Sequence, residues 1–189
     1  LYGRNNLSNI IKDATRDIFI PITVGGGIRT LEDVRNILNC GADKVAVNTA
    51  AVKNPNFISE IANSIGSQSL VLSIEAKKKS NNEWEVYTSN GRDPTGLKVY
   101  DWIKECIDNG AGEILLTSVK HDGRMKGLDI EMFNEYCDIC SVPLIIAGGF
   151  NSTQNLKKLK KFPDAISASS IFHFDKTTPK AIKDNFNYE

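Results

Sequence analysis

The chain has 189 residues, 41% of them hydrophobic, which is enough to bury the core of one domain. Lys plus Arg and Asp plus Glu number 23 each, so the formal net charge is zero and we expect neither a nucleic-acid nor a membrane partner. No apolar run reaches the roughly 18 residues of a membrane span, and the start has no signal-peptide pattern, so we expect a cytoplasmic protein. Since Leu1 is not an initiator methionine, we expect the chain to begin within a longer protein.

The first part of the chain alternates helical and strand patterns. Apolar periodicity, helix caps and glycine stops set the predicted bounds. The patterns predict helices at 9–17, 31–39 and 55–64, and strands at 19–24, 44–47 and 69–74. The run 20–24 is short, mostly apolar and bounded by glycine, so we expect a strand that is buried on both faces. Glu75 would lie at the C-terminal end of the strand 69–74.

The second part continues this alternation after a short β excursion at 83–88, in which Trp84, Val86 and Thr88 alternate with polar residues. The patterns predict helices at 96–108, 130–139 and 179–186, strands at 113–119, 143–147 and 165–168, a polar loop at 120–127 and a turn at 170–174. Six strand–helix units without a long linker indicate an α/β fold with a parallel sheet.

One unit of this pattern occurs twice. A proline-led apolar strand runs into glycines at 25–27 and again at 148–149, and each copy later reaches small polar residues, Asn48-Thr49 or Ser169-Ser170. Glycines between a strand and a helix are typical of phosphate sites, although a single copy could be a tight turn without a ligand. Two copies predict a substrate with a phosphate at each end.

The sheet could be doubly wound or closed into a barrel, and the repeat favours a (β/α)8 TIM barrel of two half-barrels. A closed barrel needs eight strands. We therefore expect strands 3 to 8 in a single domain spanning 1–189, with the first two βα units upstream of Leu1.

Functional side chains of such a barrel lie at the C-terminal strand ends. Glu75, Thr117 and Asp122 fall there and are the candidate catalytic residues, because neighbouring carboxylates can divide into acid and base. The alternatives are a salt bridge from Glu75 to Lys77, Lys78 or Lys79, and a plain Asp-Gly turn at Asp122. No metal site is expected, since Cys137 and Cys140 lack a second pair of ligands at similar spacing.

The joint occurrence of several motifs resembles the cyclase-subunit (HisF) family of imidazole glycerol phosphate synthase. The motifs lie at residues 24–29, 41–45, 48–51, 66–68, 110–118 and 170–174. The resemblance implies a lyase of histidine biosynthesis that needs no cofactor. It would convert a bisphosphorylated aminoimidazole carboxamide ribonucleotide and ammonia to imidazole glycerol phosphate and aminoimidazole carboxamide ribotide. Ammonia would come from a glutaminase (HisH-like) subunit docked at the N-terminal face of the barrel.

The resemblance also implies roles for particular residues. One phosphate site would use Gly27, Asn48 and Thr49, and the other would use Gly123, Gly148, Gly149, Ser169 and Ser170. Asp43 and Gln68 would face the glutaminase, and Lys44 and Glu113 would form a charged gate for ammonia; from the sequence pattern alone, these charges are ordinary surface charge.

Two departures from the family pattern leave alternatives open. Glu75 stands where the family has aspartate, and Phe150 is large for a phosphate turn. The alternatives are a paralogue that amidates a surface sugar, and a non-catalytic barrel that activates a glutaminase.

Overall fold

The computed structural model describes residues 4–80 and 82–184. The predicted helix at 179–186 therefore extends beyond the described residues, and the first three residues also lie outside them. The described residues pack as two compact units: 4–73 with Glu105–Glu113, and 74–80 and 82–104 with 114–184. Among the described helices, none has the length and apolar character needed to cross a membrane.

The first unit holds three parallel strands with helices between them. In chain order it contains α1 (Arg4–Asp17), β1 (Thr23–Gly25), α2 (Leu31–Asn39), β2 (Lys44–Val47), α3 (Thr49–Lys53), α4 (Asn56–Ile65), a 3-10 turn (Ser67–Ser69) and the start of β3 (Leu70–Ser80). Strand β2 pairs in parallel with β1 on one side and β3 on the other. Val45 and Val47 are buried while Lys44 and Ala46 are half-buried, so only one face of β2 packs into the core.

Local signals define α2, whose bounds are those predicted. Thr30 and Asp33 form a reciprocal capping box at its start, which satisfies backbone N–H groups that a helix leaves unpaired. Val34 and Ile37 bury one face, and the helix ends at Cys40, where Gly41 adopts a positive φ of 109°.

The prediction of a doubly buried strand at 19–24 is wrong. The strand covers only Thr23–Gly25, and the side chains of Phe19 and Ile20 are 96% and 72% exposed. The reason is that β1 is an edge strand: among the described strands it pairs only with β2. The apolar residues that precede it therefore have no neighbouring strand to bury them.

The remainder of the chain forms a hairpin extension and three more parallel strands. In order these are β4 (Glu83–Thr88), β5 (Asp93–Lys98), α5 (Val99–Asp108), β6 (Glu113–Ser118), α6 (Ile130–Tyr136), β7 (Leu144–Ala147), a 3-10 turn (Gln154–Lys158), β8 (Ala165–Ser167), α7 (Ser170–His173) and α8 (Pro179–Asp184). Strand β7 pairs in parallel with β6 and β8, in the register Leu116↔Ile146↔Ile166. The second glycine turn is followed by a 3-10 turn, whereas the first is followed by the α-helix α2.

The β excursion is larger than predicted. Strand β3 continues through Glu75 to Ser80, pairs antiparallel with β4, and β4 pairs antiparallel with β5. The predicted end of the strand at Glu75 and the predicted helix start at Gly96 are both wrong, because cross-strand pairing extends β3 and keeps 96–98 in β5. Trp84, Val86 and Thr88 are buried, as their alternation predicted.

Candidate active site

A pocket in the second unit brings together the predicted residues of one phosphate site. Gly123, Gly148, Gly149, Ser169 and Ser170 all line it. Asp122, a candidate catalytic carboxylate, lines the same pocket, as do Met125 and Ala168, which the sequence patterns did not single out. One pocket therefore combines a glycine turn, hydroxyl groups and a carboxylate.

The two glycines of this turn are required by close backbone approach. A Cβ on Gly148 would lie 2.6 Å from the Ser118 carbonyl oxygen, and a Cβ on Gly149 would lie 2.7 Å from the Gly127 carbonyl oxygen. The Gly127 N–H donates to the Gly149 carbonyl at 2.8 Å. The loop after β6 thus packs directly against the glycine turn. This loop carries Asp122 and Gly123 into the pocket.

The same loop is held by its own polar contacts. Ser118 Oγ donates to Asp129 Oδ2 at 2.7 Å, and Asp129 Oδ1 accepts from the Met132 N–H at 3.1 Å, which caps α6. His121 Nδ1 lies 2.9 Å from the Gly127 carbonyl, and since a carbonyl only accepts, Nδ1 is the donor. The predicted polar loop is therefore tied to α6 and to its own backbone.

Glu75 also belongs to the second unit and is half-buried. Its Oε2 accepts a hydrogen bond from the Gly91 N–H at 2.8 Å. Burial raises the pKa of Glu75 above its ordinary value, and the charge of Asp122 raises it further, whereas the Gly91 hydrogen bond and Lys77 oppose the rise. The charge of Asp122 therefore acts on Glu75, the other candidate carboxylate of this unit.

The alternative for Glu75 was a salt bridge to one of the lysines that follow it. In the structure each of these lysines contacts another side chain. Lys77 Nζ sits 4.4 Å from the centre of the Tyr87 ring, Lys78 pairs with Glu131, and Lys79 Nζ lies 3.4 Å from Glu85 Oε2.

Thr117 lies near the C-terminal end of β6 and Asp122 lies just beyond it. The glycine turn follows the C-terminal end of the neighbouring strand β7. Asp122 Oδ1 accepts from the Gly123 N–H at 3.0 Å, so the Asp-Gly turn considered from the sequence is present, and Asp122 lines the pocket as well. Thr117 pairs in register with Ala147, another pocket residue, and is half-buried between the buried Leu116 and Ser118.

The first unit carries the other copy of the turn. The φ angles of Gly26 and Gly27 are 104° and 73°, against 100° and 85° for Gly148 and Gly149. Asn48 and Ser169 have φ angles of −130° and −128° and precede the short helices α3 and α7. The predicted internal repeat is therefore confirmed in the backbone.

Side chains confirm the repeat as well, at the residue that follows each glycine turn. Ile28 and Phe150 are both 5% exposed, so the larger Phe150 occupies the same kind of buried position as Ile28. Phe150 also contributes to the pocket wall.

The predicted gate residues meet at the opposite, N-terminal ends of strands. Lys44 and Glu113 form an ion pair, with side chains 26% and 18% exposed. Asp43 Oδ2 accepts from the Ile22 N–H at 2.7 Å, a contact that Asp164 repeats with the Leu144 N–H at 2.8 Å. Asp43 thus holds the start of β1 through a hydrogen bond. Gln68 is exposed, and its side-chain amide donates to the Ile65 carbonyl at 3.4 Å.

The cysteines are free thiols. Burial raises the pKa of Cys137, and it raises the pKa of Cys140 to about 12. Across residues 4–80 and 82–184, no cluster of three or more His, Cys, Asp or Glu side chains could hold a metal ion.

The structure is that of an α/β protein whose candidate site lies at the carboxyl ends of parallel strands. Residues 1–178 match the family model described as "Histidine biosynthesis protein", and the chain belongs to that family. Its curated relatives include "Imidazole glycerol phosphate synthase subunit HisF" from Legionella pneumophila, 54% identical over 82% of this chain and 73% of the relative. Proteins of the same name from Dictyoglomus thermophilum and Dictyoglomus turgidum are each 46% identical, over 96% and 91% of this chain and 72% and 69% of the relatives.

Proposed function

We propose that this chain is the cyclase subunit of imidazole glycerol phosphate synthase, a lyase of histidine biosynthesis. It uses ammonia to convert the bisphosphorylated ribulosyl-formimino aminoimidazole carboxamide ribonucleotide to imidazole glycerol phosphate and aminoimidazole carboxamide ribotide. The observation that carries the proposal is the pocket in which the glycine turn and Ser169-Ser170 meet Asp122. The names of relatives up to 54% identical point to the same reaction.

In this proposal Glu75 and Asp122 transfer protons at the reacting centre. Burial raises the pKa of Glu75, which brings a carboxyl group nearer to the pH range in which it can both accept and return a proton. Thr117 lies one strand from the pocket wall and is the third candidate at this centre.

The two glycine turns hold the two phosphates of the substrate. Gly148 and Gly149, with Gly123, Ser169 and Ser170, bind one phosphate. The matching backbone of the first turn supports a second phosphate site at Gly27, Asn48 and Thr49. Backbone N–H groups at strand–helix turns are suited to such anions.

A glutaminase subunit would supply the ammonia. The name of the relatives describes a subunit of a synthase, and Asp43, Lys44, Gln68 and Glu113 are the residues we assign to that interface and to the gate. We further propose that the parallel strands described here belong to a (β/α)8 barrel with one domain across this chain. The two upstream units and the cytoplasmic location stay predictions.

The experiment that tests the proposal is an ammonia-dependent turnover assay with the bisphosphorylated substrate, for the parent protein and for Glu75→Asp and Glu75→Gln. We expect turnover by the parent and its loss in Glu75→Gln. Turnover that begins only with Glu75→Asp would indicate a paralogue that has left histidine biosynthesis. No turnover by either the parent or Glu75→Asp would refute the cyclase proposal and favour the sugar-amidating or glutaminase-activating alternatives.

A further inference from the structure

The tip of the hairpin between β4 and β5 lies next to Glu75. Ser89, Asn90 and Gly91 follow one another with positive φ angles of 55°, 59° and 71°, and the Arg92 N–H closes the loop on the Thr88 carbonyl at 3.0 Å. This conformation aims the Gly91 N–H at Glu75 Oε2, 2.8 Å away. We propose that Gly91 is a positioning residue, whose backbone N–H orients the Glu75 carboxylate for proton transfer; this inference rests on the proposed function.

The place of the tip is fixed by the end of β6. A Cβ on Gly91 would lie 2.4 Å from Val119 Cγ1, so the tip packs against Val119 with no room for a side chain. Val119 is itself anchored, because its N–H donates to the Ala76 carbonyl at 3.0 Å, one residue beyond Glu75. Hairpin tip, β6 end and Glu75 therefore form one connected arrangement within the second unit.

Glu75 needs such an anchor more than a shorter carboxylate does. A glutamate side chain has one more rotatable bond than an aspartate, so it loses more conformational freedom when it is held in one reactive geometry. A hydrogen bond from a fixed backbone N–H removes that freedom without another flexible side chain. The hydrogen bond also stabilises the ionised carboxylate and so lowers the pKa of Glu75, whereas burial raises it.

The same hairpin supplies a matched control. Gly96 also has a positive φ, 77°, and its N–H also donates to a glutamate, Glu85 Oε1, at 2.7 Å. A Cβ on Gly96 meets nothing within 4 Å, and Glu85 is not a candidate for the chemistry. Gly91→Ala and Gly96→Ala therefore both place alanine at a positive φ. Only Gly91→Ala adds a steric clash, and only Gly91 donates its N–H to Glu75 rather than to Glu85.

The first measurement is an NMR titration of the unmodified protein, which needs no turnover. We expect the Gly91 amide proton to shift with the same midpoint as the Glu75 carboxyl carbon, and Glu75→Gln to abolish that shift. In Gly91→Ala we expect the midpoint of Glu75 to rise, because the displaced N–H no longer stabilises the ionised carboxylate, and in Gly96→Ala we expect it to stay unchanged. A Gly91 amide that does not titrate with Glu75 would overturn the inference, whether or not Gly91→Ala folds.

The second measurement links the contact to catalysis. We expect kcat for Gly91→Ala to fall roughly a hundredfold, with the pH limb of kcat displaced in the same direction as the midpoint of Glu75. Equal losses in Gly91→Ala and Gly96→Ala, or an undisplaced limb, would overturn the positioning role. If the parent protein shows no cyclase turnover, the proposed function fails separately, and the titration still decides whether Gly91 sets the state of Glu75.

Discussion

The closeness of the Ser118 carbonyl to Gly148 makes Gly148→Ala an informative change. The added Cβ would lie 2.6 Å from that oxygen, and ordinary contact begins at 3.4 Å, so the two must separate by the difference of 3.4 and 2.6, or 0.8 Å. Neither partner can rotate away, because both belong to the backbone. The glycine turn or the end of β6 must therefore move, and the loop that carries Asp122 into the pocket begins at that strand end.

Gly26→Ala separates this clash from backbone strain. Gly26 has nearly the same φ, 104° against 100°, but its added Cβ meets nothing within 4 Å. Strain at a positive φ costs about 1–3 kcal/mol in either variant, and overpacking adds about 1–3 kcal/mol only at Gly148. We therefore expect the free energy of unfolding to fall by about 1–3 kcal/mol more in Gly148→Ala than in Gly26→Ala.

Urea unfolding of both variants, followed by circular dichroism, measures this difference. For Gly148→Ala we also expect kcat/KM for the bisphosphorylated substrate to fall roughly a hundredfold, because a displacement of about 1 Å near the reacting groups has an effect of that size. If the two variants lose the same free energy of unfolding, the close approach of Ser118 is not what requires glycine at position 148, and the reasoning fails.

Three further predictions concern charge and capping. Because burial raises the pKa of Glu75 above its ordinary value of 4.5, the stability that this group contributes at low pH is lost as the pH rises through the raised pKa. Glu75→Gln should therefore unfold at higher urea than the parent at neutral pH and converge with it below pH 4.5, and a more stable parent at neutral pH would contradict this. A double-mutant cycle of Lys44→Met and Glu113→Leu should give a coupling energy of about 1–2 kcal/mol, because the pair is partly buried. The same cycle on Lys98 and Glu83, whose side chains are 61% and 38% exposed, is the control and should give under about 1 kcal/mol. Thr30→Ala should lower the free energy of unfolding by about 1 kcal/mol, whereas Thr153→Ala, whose side chain makes no capping bond, should leave it nearly unchanged; equal losses would refute the capping argument.

Elements whose signals are local could be predicted from the sequence. Helix α2 has its cap in Thr30 and its stop in Gly41, and strand β2 lies between Gly41 and Asn48, so their bounds need no distant partner. The glycine turns belong to the same class, since only glycine adopts their positive φ angles without strain.

Elements whose extent depends on pairing could not be predicted in the same way. The run 20–24 has the composition of a buried strand, but β1 has a paired neighbour on only one side among the described strands. The end of β3 was misplaced for the opposite reason. Its residues beyond Glu75 include consecutive lysines, a poor strand signal, and pairing with β4 nonetheless extends the strand to Ser80.

The candidate site also has one part that local sequence predicted and one part that depends on long-range pairing. Glycine and small polar residues marked the two turns, and all five predicted phosphate residues of the second turn meet in one pocket. The anchor of Glu75 lies 16 residues along the chain in a hairpin tip, and nothing local in the sequence links Gly91 to that carboxylate. Which group the tip of this hairpin faces depends on how β4 pairs with β3.

The two glycine turns show which part of the site is encoded locally. Their φ angles agree within 12°, the largest difference being 73° against 85°. Their surroundings differ: at under 3 Å, a Cβ on Gly148 meets backbone at the end of β6 and a Cβ on Gly149 meets loop backbone, whereas a Cβ on Gly26 or Gly27 meets nothing within 4 Å. The glycines therefore give both turns nearly the same backbone conformation. The loop after β6 packs against the second turn and brings Asp122 with it, which makes that turn a candidate for chemistry as well as for binding.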